Sequence, residues 1–501
     1  MVLNVPTLPW LPPFAIAWLT ALLIPLGVII VRRLYIHPLR NVPGPWLAAV
    51  SDGYAFYYNF IREGGYSRRI LELHREYESE IIRIGPNQVH VNNLDFFEEV
   101  FRIGSKYSKD PSFYRHFGGL DGMLHPGDVR IYRNHISSLY SARSADGLVP
   151  RLLLELRTIA ARLQRNVQTG DAVNIQRMFR TLSADMILQI LFPQDVNLFE
   201  CEGYHPFLKA FDLIMTKTWL MLTYPVVGMV LGLIPGGSYT TLKSAMDEFT
   251  TYCEGWAKDA QRLRSARTQP ERDSHLTRYL DIDPMHQEKV HVVPHPLQDI
   301  FNFLAGGSDT TAYSTSCAVH YLLSSPGVLA SLQTELDASA PFIREDFDHK
   351  RIQRLPYLNA VVKETLRLSN PVPGCLPRTV PVGGTRLGSV DLPAGTAVSV
   401  SLLSVQQNPQ LFPQPQTFRP ERWLGDEGKA IEKWNVAFSR GPRQCIGTNI
   451  AYLELHCGLA YLFSHFEFAL AEPGKKLEWV DRFVAANTED VKVRLVRDRW
   501  A

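Results

Sequence analysis

An uncharged apolar stretch dominates the start of the chain. No charged residue occurs between Met1 and Val31, and residues 11–31 are almost entirely apolar. As a helix they would be about 31 Å long, which matches the hydrocarbon thickness of a membrane. Arg32 and Arg33 follow, so the positive-inside rule predicts a transmembrane anchor at 11–31, a lumenal segment at 1–10 and a cytosolic globule. A cleaved signal peptide is the alternative, but the run is long and no basic residue precedes it.

A proline-rich segment separates this predicted anchor from the rest of the chain. Residues 32–50 contain Pro38, Pro43 and Pro45, together with several basic residues. Prolines at this density cannot continue a helix. We interpret the segment as a rigid neck, followed by a single catalytic domain at 51–501, because no later linker divides the chain.

Beyond the neck the pattern is mainly helical. Apolar positions recur at helical spacing in residues 66–77 and through most of 127–336, whereas 81–91 and 385–401 alternate as strands do. The prediction is a mainly α fold with minor β. Residues 219–234 are apolar but short and broken by a proline. A second membrane helix, a surface element dipping into the bilayer and plain core all remain open for them.

Charge and cysteine usage exclude several classes of function. The chain has 52 Lys and Arg against 50 Asp and Glu, so its net charge of +2 gives no field suited to nucleic acid. Six cysteines occur in 501 residues, none in a Cys-x-x-Cys pair. Neither a disulfide scaffold nor a zinc ribbon is therefore expected.

The most informative segment is 438–447 (FSRGPRQCIG). Gly441 predicts a turn, and the residues after Gly447 predict a helix, so Cys445 should lie just before a helix N-terminus. The free N–H groups and the positive end of the helix dipole stabilise a thiolate there, and Arg443 adds a positive charge. A thiolate held in this way can ligate heme iron. A buried structural cysteine is the alternative interpretation.

A second unusual segment is 305–311 (AGGSDTT), within a long helical stretch. Each of its two adjacent glycines costs a helix about 1 kcal/mol relative to alanine. Thr310 can hydrogen-bond to the carbonyl four residues earlier and bend the helix. The segment is either a kink required for packing or a place where missing side chains leave room for a ligand.

A third segment contains Glu364 and Arg367, which share one helical face because they are three residues apart. Alone, such a pair is commonly solvated.

Together these segments resemble the cytochrome P-450 family. Residues 438–447 match its heme-binding signature, 305–311 match its oxygen-activation motif, and 364–367 with 418–423 (FRPERW) resemble its Glu–Arg–Arg network. The resemblance covers nearly the whole chain, in the style of fungal microsomal members such as trichodiene oxygenase. It implies the cytochrome P-450 fold and heme b with Cys445 as the axial ligand of the iron.

The resemblance also implies roles for individual residues. Thr310 and Asp309 would supply protons during oxygen activation, and Glu364, Arg367 and Arg422 would form a buried structural network. The implied heme-binding residues are Arg133, Arg378, Arg443, Phe438, Gly441 and Gly447. The implied substrate-pocket residues are Phe113, Tyr114, Phe117, Ala305, Gly306, Cys375 and Leu376. One departure stands out, since position 129 holds Val where the family usually has Trp or His, so that one propionate donor is missing.

The implied activity is a monooxygenase that inserts one oxygen atom from O2 into an apolar small molecule, of terpenoid or polyketide-like type. Electrons would come from an NADPH–cytochrome P-450 reductase at the endoplasmic reticulum membrane, with membrane lipid as the second partner. A heme-thiolate isomerase or dehydratase acting on a peroxide is one alternative, and a non-catalytic heme-binding membrane protein is another. The presence of both Asp309 and Thr310 argues against them.

Overall fold

The structure is a computed structural model that describes residues 13–114, 129–167, 170–224, 228, 232–233, 237–266, 272–281 and 296–499. The α-helices are α1 (Pro13–Val31), α2 (Trp46–Val50), α3 (Gly53–Phe56), α4 (Tyr66–Glu76), α5 (Leu94–Phe101), α6 (Pro111–Tyr114), α7 (Arg130–Ser137), α8 (Ala142–Gly147), α9 (Val149–Val167), α10 (Ile175–Leu191), α11 (Pro206–Thr223), α12 (Ser238–Ala266), α13 (His275–Leu280), α14 (Pro296–Leu304), α15 (Thr310–Leu323), α16 (Pro326–Ala338), α17 (His349–Ile352), α18 (Pro356–Ser369), α19 (Leu402–Gln406), α20 (Gly425–Ile431) and α21 (Thr448–His465). Short 3-10 or π-helical segments lie at Arg32–Ile36, Pro38–Asn41, Tyr57–Ile61, Ser138–Tyr140, Leu198–Glu200, Ala305–Asp309, Pro341–Glu345, Pro420–Trp423, Glu432–Trp434 and Gly441–Arg443.

The strands are short. They are β1 (Ile81–Gly85), β2 (Gln88–Val91), β3 (Ser108–Lys109), β4 (Val173–Asn174), β5 (Arg378–Thr379), β6 (Thr385–Leu387), β7 (Val390–Leu392), β8 (Ala397–Ser399), β9 (Phe466–Leu470), β10 (Trp479–Arg482), β11 (Val484–Asn487) and β12 (Lys492–Asp498). The largest sheet has the order β1-β2-β8-β5-β3, in which β2 and β8 are parallel and the other pairs antiparallel. The smaller sheets are β4-β12-β9, β10-β11 and β6-β7.

The helical part of the sequence prediction is confirmed, and α9 shows its physical basis. Leu152, Leu156, Ile159 and Leu163 follow one another at alternating spacings of four and three, and all are fully buried. This spacing places them on one face of the helix, which packs on the core.

Three helices form the centre of the molecule. Buried residues run along most of α10, α15 and α21 on all sides, which is typical of helices enclosed by others. Helix α15 packs against α10, α18 and α21. Helices α14 and α15, with the π-helical turn Ala305–Asp309 between them, form one long helix that we call the distal helix.

The N-terminal helix differs from the rest because its apolar side chains face outward. Leu23, Ile24, Leu26 and Val28 on α1 are all exposed. Among the helices of the described residues, none combines the length and the apolarity needed to cross a membrane. The anchor that the sequence predicts at 11–31 is therefore not shown. Of the second apolar stretch, residues 219–223 belong to α11, and most of 224–234 lies outside the described residues.

Candidate active site

The cysteine loop at residues 438–447 has the local structure that its sequence predicts. The N–H of Cys445 donates to the carbonyl of Phe438 over 2.9 Å, which closes the loop. Gly441 has φ +71°, and a Cβ at this position would lie 2.2 Å from the carbonyl oxygen of Phe101. Only glycine satisfies both conditions. Gly447 is the N-cap of α21, so the cysteine lies at the head of that helix.

Cys445 is the exposed one of the six cysteines. Protein atoms still surround it closely enough that desolvation raises the pKa of its thiol, while the N–H of Gly447, the charge of Arg133 and Thr448 act to lower it. Burial raises the pKa of the thiols of Cys253 and Cys317 to about 12, and the hydrogen bonds of Cys317 with Tyr313 and Asn487 do not offset it. Cys445 alone therefore combines access for a metal with groups that stabilise a thiolate.

An arginine distant in sequence acts on the thiol. The charge that favours the thiolate of Cys445 comes from Arg133 on α7. The turn Gly441–Arg443 brings Arg443 near Lys109, whose pKa its charge lowers. The expected effect of Arg443 on the thiolate stays a prediction.

Basic side chains gather around Lys109. Burial lowers the pKa of its ammonium well below the usual range, and the charges of Arg443, Arg378 and Arg133 lower it further. Arg378 is itself buried and donates to the hydroxyl of Tyr114 over 3.2 Å. Four basic side chains gathered in one half-buried region favour an anionic ligand, which would also restore the charged form of Lys109. Heme b has two propionates and an iron that accepts a thiolate, so this set of residues fits that group.

The distal helix is open at its π-helical turn. Gly306 is exposed, although Leu304, Ser308 and Asp309 around it are buried. Thr310 donates its hydroxyl to the carbonyl of Gly306 over 2.7 Å, the bond that the sequence suggested. Because Gly306 has no side chain, the surface of the distal helix is open at this position, one turn before Thr310.

Gly307 contributes to helix packing and not to the open turn. A Cβ here would lie 3.0 Å from Ile187 on α10, so this glycine permits close packing of the two helices.

Asp309 is the acid that the sequence places beside Thr310, and it has an ionic partner. Arg180 on α10 forms an ion pair with Asp309 and a second with Asp212, the latter at 2.7 Å. The hydroxyl of Tyr204 donates to Asp212 over 2.6 Å. All four side chains line a cavity of about 230 Å³. The acid of the distal helix is thus connected to a polar cavity through a shared arginine.

Glu364 lies at the centre of a buried cluster. Arg367 donates to both of its carboxylate oxygens at 2.9 Å, Arg422 donates through Nε at 3.1 Å and Trp423 through Nε1 at 2.9 Å. Glu364 and Arg367 are fully buried. Burial acts to raise the pKa of Glu364, but the hydrogen bonds and charges of the arginines outweigh it and hold the pKa below its usual value. The cluster lies away from solvent, which favours a structural role over a catalytic one.

The structure separates the predicted pocket residues. Phe113 lies 6.3 Å from Phe483, centroid to centroid, and Tyr114 contacts Arg378 in the basic region. Ala305 and Gly306 lie at the open turn of the distal helix. Phe117 falls outside the described residues.

Two pocket assignments fit the structure poorly. Cys375 packs against Tyr66 and a small cluster around Ile82, and burial raises the pKa of its thiol to about 12. Leu376 packs against the core of the largest sheet. Both positions follow α18 and are half-buried, so their assignment to the pocket stays a prediction.

Three residues of the site were missed by sequence reasoning: Lys109, Arg180 and Phe483. Phe483 is a bulky residue with φ +74°, and its N–H donates to the side chain of Asp481 over 2.9 Å. Strained backbone of this kind concentrates at functional sites. Lys109 and Arg180 have partners far away along the chain, and a phenylalanine does not signal a positive φ, so nothing in the neighbouring sequence points to any of the three.

Comparison with known proteins places these features in a family. The model of the cytochrome P-450 family matches residues 54–492. A cytochrome P-450 monooxygenase of Claviceps purpurea, cloA, is 51% identical over 482 residues, covering 96% of this chain and 95% of the relative. A cloA protein of Claviceps fusiformis is 49% identical over 485 residues, with the same coverage, and is named an inactive cytochrome P-450 monooxygenase.

Solved structures agree on the fold. The crystal structure of a cytochrome P-450 heme domain aligns with a TM-score of 0.73 at 18% identity, covering 91% of this chain and 98% of that one. At this identity the match shows the fold alone.

Proposed function

Because this chain belongs to the cytochrome P-450 family, whose members are heme-thiolate monooxygenases, we propose that its substrate is an apolar small molecule of secondary metabolism, into which it inserts one oxygen atom from O2. The observation that carries the proposal is the combination of an accessible Cys445 at the head of α21 with the open turn of the distal helix at Gly306.

Each group of residues then has a task. Bound heme supplies the oxidising chemistry. Cys445 binds its iron, and the basic side chains of Arg133, Arg378 and Arg443 hold its propionates. Thr310 holds a proton at the open turn, the carboxylate of Asp309 relays protons to it, and the cavity behind Asp309 provides the route by which they are replaced.

The relative from Claviceps fusiformis is named an inactive monooxygenase, so the catalytic activity of this chain needs its own argument. A non-catalytic heme protein would not need a proton-bearing pair at the open turn. Asp309 and Thr310 are both present, and Asp309 is joined to a polar cavity by Arg180. We therefore favour an active enzyme. The same pair argues against an isomerase or dehydratase, which rearranges a peroxide without an external supply of electrons.

The test uses the purified full chain with an NADPH–cytochrome P-450 reductase, the proposed electron donor. The ferrous protein with carbon monoxide should show the red-shifted Soret band of a thiolate ligand, and Cys445→Ser should abolish it. Apolar terpenoid and polyketide-like compounds are screened for a substrate-induced spin shift, and those that bind are assayed for NADPH-dependent oxygenation. A wild-type protein without the red-shifted band would refute the proposal. Conversion of a peroxide in the absence of reductase would favour the isomerase.

We further propose that residues 11–31 anchor the enzyme in the endoplasmic reticulum membrane, with the N-terminus in the lumen and the catalytic domain in the cytosol. The support is the uncharged sequence of this segment, the outward-facing apolar side chains of α1 and the two arginines that follow. Deleting residues 1–33 should release protein from membranes without changing the carbon monoxide spectrum. If the truncated protein remains membrane-bound, residues 219–234 or another surface must hold it.

A further inference from the structure

A buried tyrosine and a buried histidine are hydrogen-bonded to each other between α7 and α13. The hydroxyl of Tyr140 lies 2.8 Å from Nε2 of His275, and both side chains are buried. The rings of both residues also pack against Phe303 of the distal helix, with centroid distances of 5.6 Å and 4.3 Å. The packing of three elements therefore holds this hydrogen bond in place, in a region where a hydrogen bond is stronger than in water.

Tyr140 lies close to the cysteine site. The side chain of Asn449, in the first turn of α21, donates to the carbonyl of Tyr140 over 2.9 Å, and Cys445 precedes Asn449 by four residues. Burial raises the pKa of the Tyr140 hydroxyl well above its usual value, and the charge of Cys445 raises it further. The tyrosine thus keeps its proton at rest, next to the place where Cys445 would hold heme.

An acid lies on the other side of the histidine. Oδ2 of Asp299, from α14, is 3.8 Å from Nδ1 of His275. Because Nδ1 faces the acid, we assign the ring proton to Nδ1 and the lone pair to Nε2, so that the hydroxyl of Tyr140 donates to Nε2. Burial lowers the pKa of His275 to about 3 and raises that of Asp299 to about 8, so both groups are neutral in the resting protein.

A small cavity lies beside this acid. It has a volume of about 20 Å³, enough for one water molecule, and its lining includes Asp299, His275 and the exposed His135. Oδ1 of Asp299 is buried, and it has no hydrogen-bond partner among the residues that the structure describes. A water molecule in the cavity would satisfy this oxygen and could carry a proton from Asp299 toward the surface.

The chemistry of a phenol explains why such an arrangement matters. An electron is removed from a phenol easily only when its proton leaves at the same time, because the phenol radical cation is a strong acid. Nε2 of His275 is a base at hydrogen-bond distance from the hydroxyl of Tyr140, so the proton needs to move only across one hydrogen bond. A tyrosine whose hydroxyl donates to a backbone carbonyl, such as Tyr66, lacks a base of this kind.

We propose that Tyr140 is a redox-active residue that gives one electron to the heme when the heme has been oxidised without a bound substrate. The oxidant is a peroxide, or O2 together with electrons from the reductase. The inference rests on the proposed binding of heme by Cys445. Its consequence is protective, since the oxidising equivalent passes to a defined side chain and not to the porphyrin or the pocket.

The atoms and charges of this step balance. Tyr140 loses an electron to the heme and its hydroxyl proton to Nε2 of His275, which leaves a neutral tyrosyl radical and an imidazolium. Asp299 releases its own proton through the cavity to solvent and becomes a carboxylate. The buried imidazolium is thereby paired with an anion 3.8 Å away, and an unpaired buried charge is avoided.

The experiment looks for the radical itself. Ferric holoenzyme without substrate is mixed with a peracid, frozen rapidly and examined by electron paramagnetic resonance. Wild type should give a tyrosyl signal, and Tyr140→Phe should lose it. His275→Phe should weaken the signal roughly tenfold or more, as a positioned base contributes ~10²–10⁴ to a proton transfer. Tyr66→Phe is the control and should keep the wild-type signal, because the hydroxyl of Tyr66 donates to the carbonyl of Ile84.

Two further measurements separate this role from a structural one. High-field spectra of the wild type, which need no variant, should show the lowered g value of a tyrosyl oxygen that accepts a hydrogen bond from a cation. Heme in Tyr140→Phe should bleach faster than in wild type when peroxide is added without substrate.

Several outcomes would overturn the proposal: a wild type without a tyrosyl radical, an unchanged radical in Tyr140→Phe, a full signal in His275→Phe, or the g value of an oxygen without a hydrogen bond. The red-shifted carbon monoxide band tests heme binding by Cys445 separately. A protein with a normal band and no radical at Tyr140 would therefore lose this inference and keep its proposed function.

Discussion

The guanidinium of Arg180 forms an ion pair with the carboxylate of Asp309, so a cation from α10 holds the acid of the distal helix. The same guanidinium binds Asp212 at 2.7 Å. An arginine shared by two carboxylates can keep one of them in place while the other faces a polar cavity. Arg180 thereby fixes the carboxylate of Asp309, which in the proposed mechanism relays protons to Thr310.

We expect Arg180→Met to lower the amount of product formed per NADPH roughly tenfold, a fraction of the ~10²–10⁴ that a positioned acid or base contributes. Without the cation, Asp309 loses the partner that orients it. Product, peroxide and NADPH are measured in the same reaction. Arg165→Met on α9 is the control, because Arg165 is 66% exposed and is not among the residues that line the cavity. Normal coupling in Arg180→Met would remove this ion pair from proton supply.

Replacing the acid of the buried cluster should be severe. Glu364→Gln leaves Arg367 and Arg422 buried without a carboxylate, and removing one partner of such a pair costs about 3–5 kcal/mol. Urea unfolding monitored by far-ultraviolet circular dichroism measures the loss. Glu421→Gln, at an exposed neighbour, should change stability by at most about 0.5 kcal/mol. Equal stability of the two variants would contradict the structural role of Glu364.

The cluster also predicts a direction for the pH dependence. Because the pKa of Glu364 is held below its usual value, its contribution to stability is present above the pKa of the unfolded chain and is lost as the pH falls below it.

A pair of neutral histidines should make the protein sensitive to mild acid. Ser401 donates its N–H to Nε2 of His90, whose Nδ1 lies 2.7 Å from Nε2 of His74. Burial lowers the pKa of both rings, and that of His90 well below its usual value. Stability is then complete above the unfolded pKa, near 6.5, and falls as the pH drops below it.

His90→Gln tests this source of acid sensitivity. The variant cannot take up the proton, so below about pH 6 its unfolding free energy should fall less steeply than that of wild type, by about 1.4 kcal/mol per pH unit. Denaturant titrations at pH 7.5, 6 and 5, as chosen test conditions, provide the two slopes. Parallel slopes would show that the His74–His90 pair does not titrate on unfolding.

The positive φ of Phe483 should reverse the usual order of stability of a glycine and an alanine variant. At φ +74° only glycine is free of strain, so Phe483→Gly should be more stable than Phe483→Ala by about 1 kcal/mol. At Val382, which is fully exposed and has no positive φ, the alanine variant should be at least as stable as the glycine variant. Thermal unfolding of the four variants decides the comparison.

Both Phe483 variants should also bind substrate more weakly, because the ring that they lack lies beside Phe113.

The turn and the helix start of the cysteine loop were predictable because local residue types set both. Gly441, Cys445 and Gly447 lie within one short segment, and the turn and helix around them follow from residue types alone. The Glu364–Arg367 pair was ambiguous for the opposite reason. Its burial depends on Trp423 and on carbonyls that α18 does not contain, so only the family resemblance suggested it.

Lys109 and Arg180 show where sequence reasoning ends. Strand β3 has two residues, too few for any alternation, and it exists because β5 pairs with it. Arg180 lies on a helix whose apolar pattern explains its packing, while its two carboxylate partners lie on α11 and the distal helix. Interactions of this kind are set by tertiary structure, and no periodicity encodes them.

The contact between Gly441 and the carbonyl of Phe101 also constrains how the protein is made. The end of α5 lies far before the cysteine loop in the chain, so the loop can close against its support only after all the residues between them have been synthesised. A finished cofactor site, and with it the capture of heme, is therefore expected only once those residues have left the ribosome.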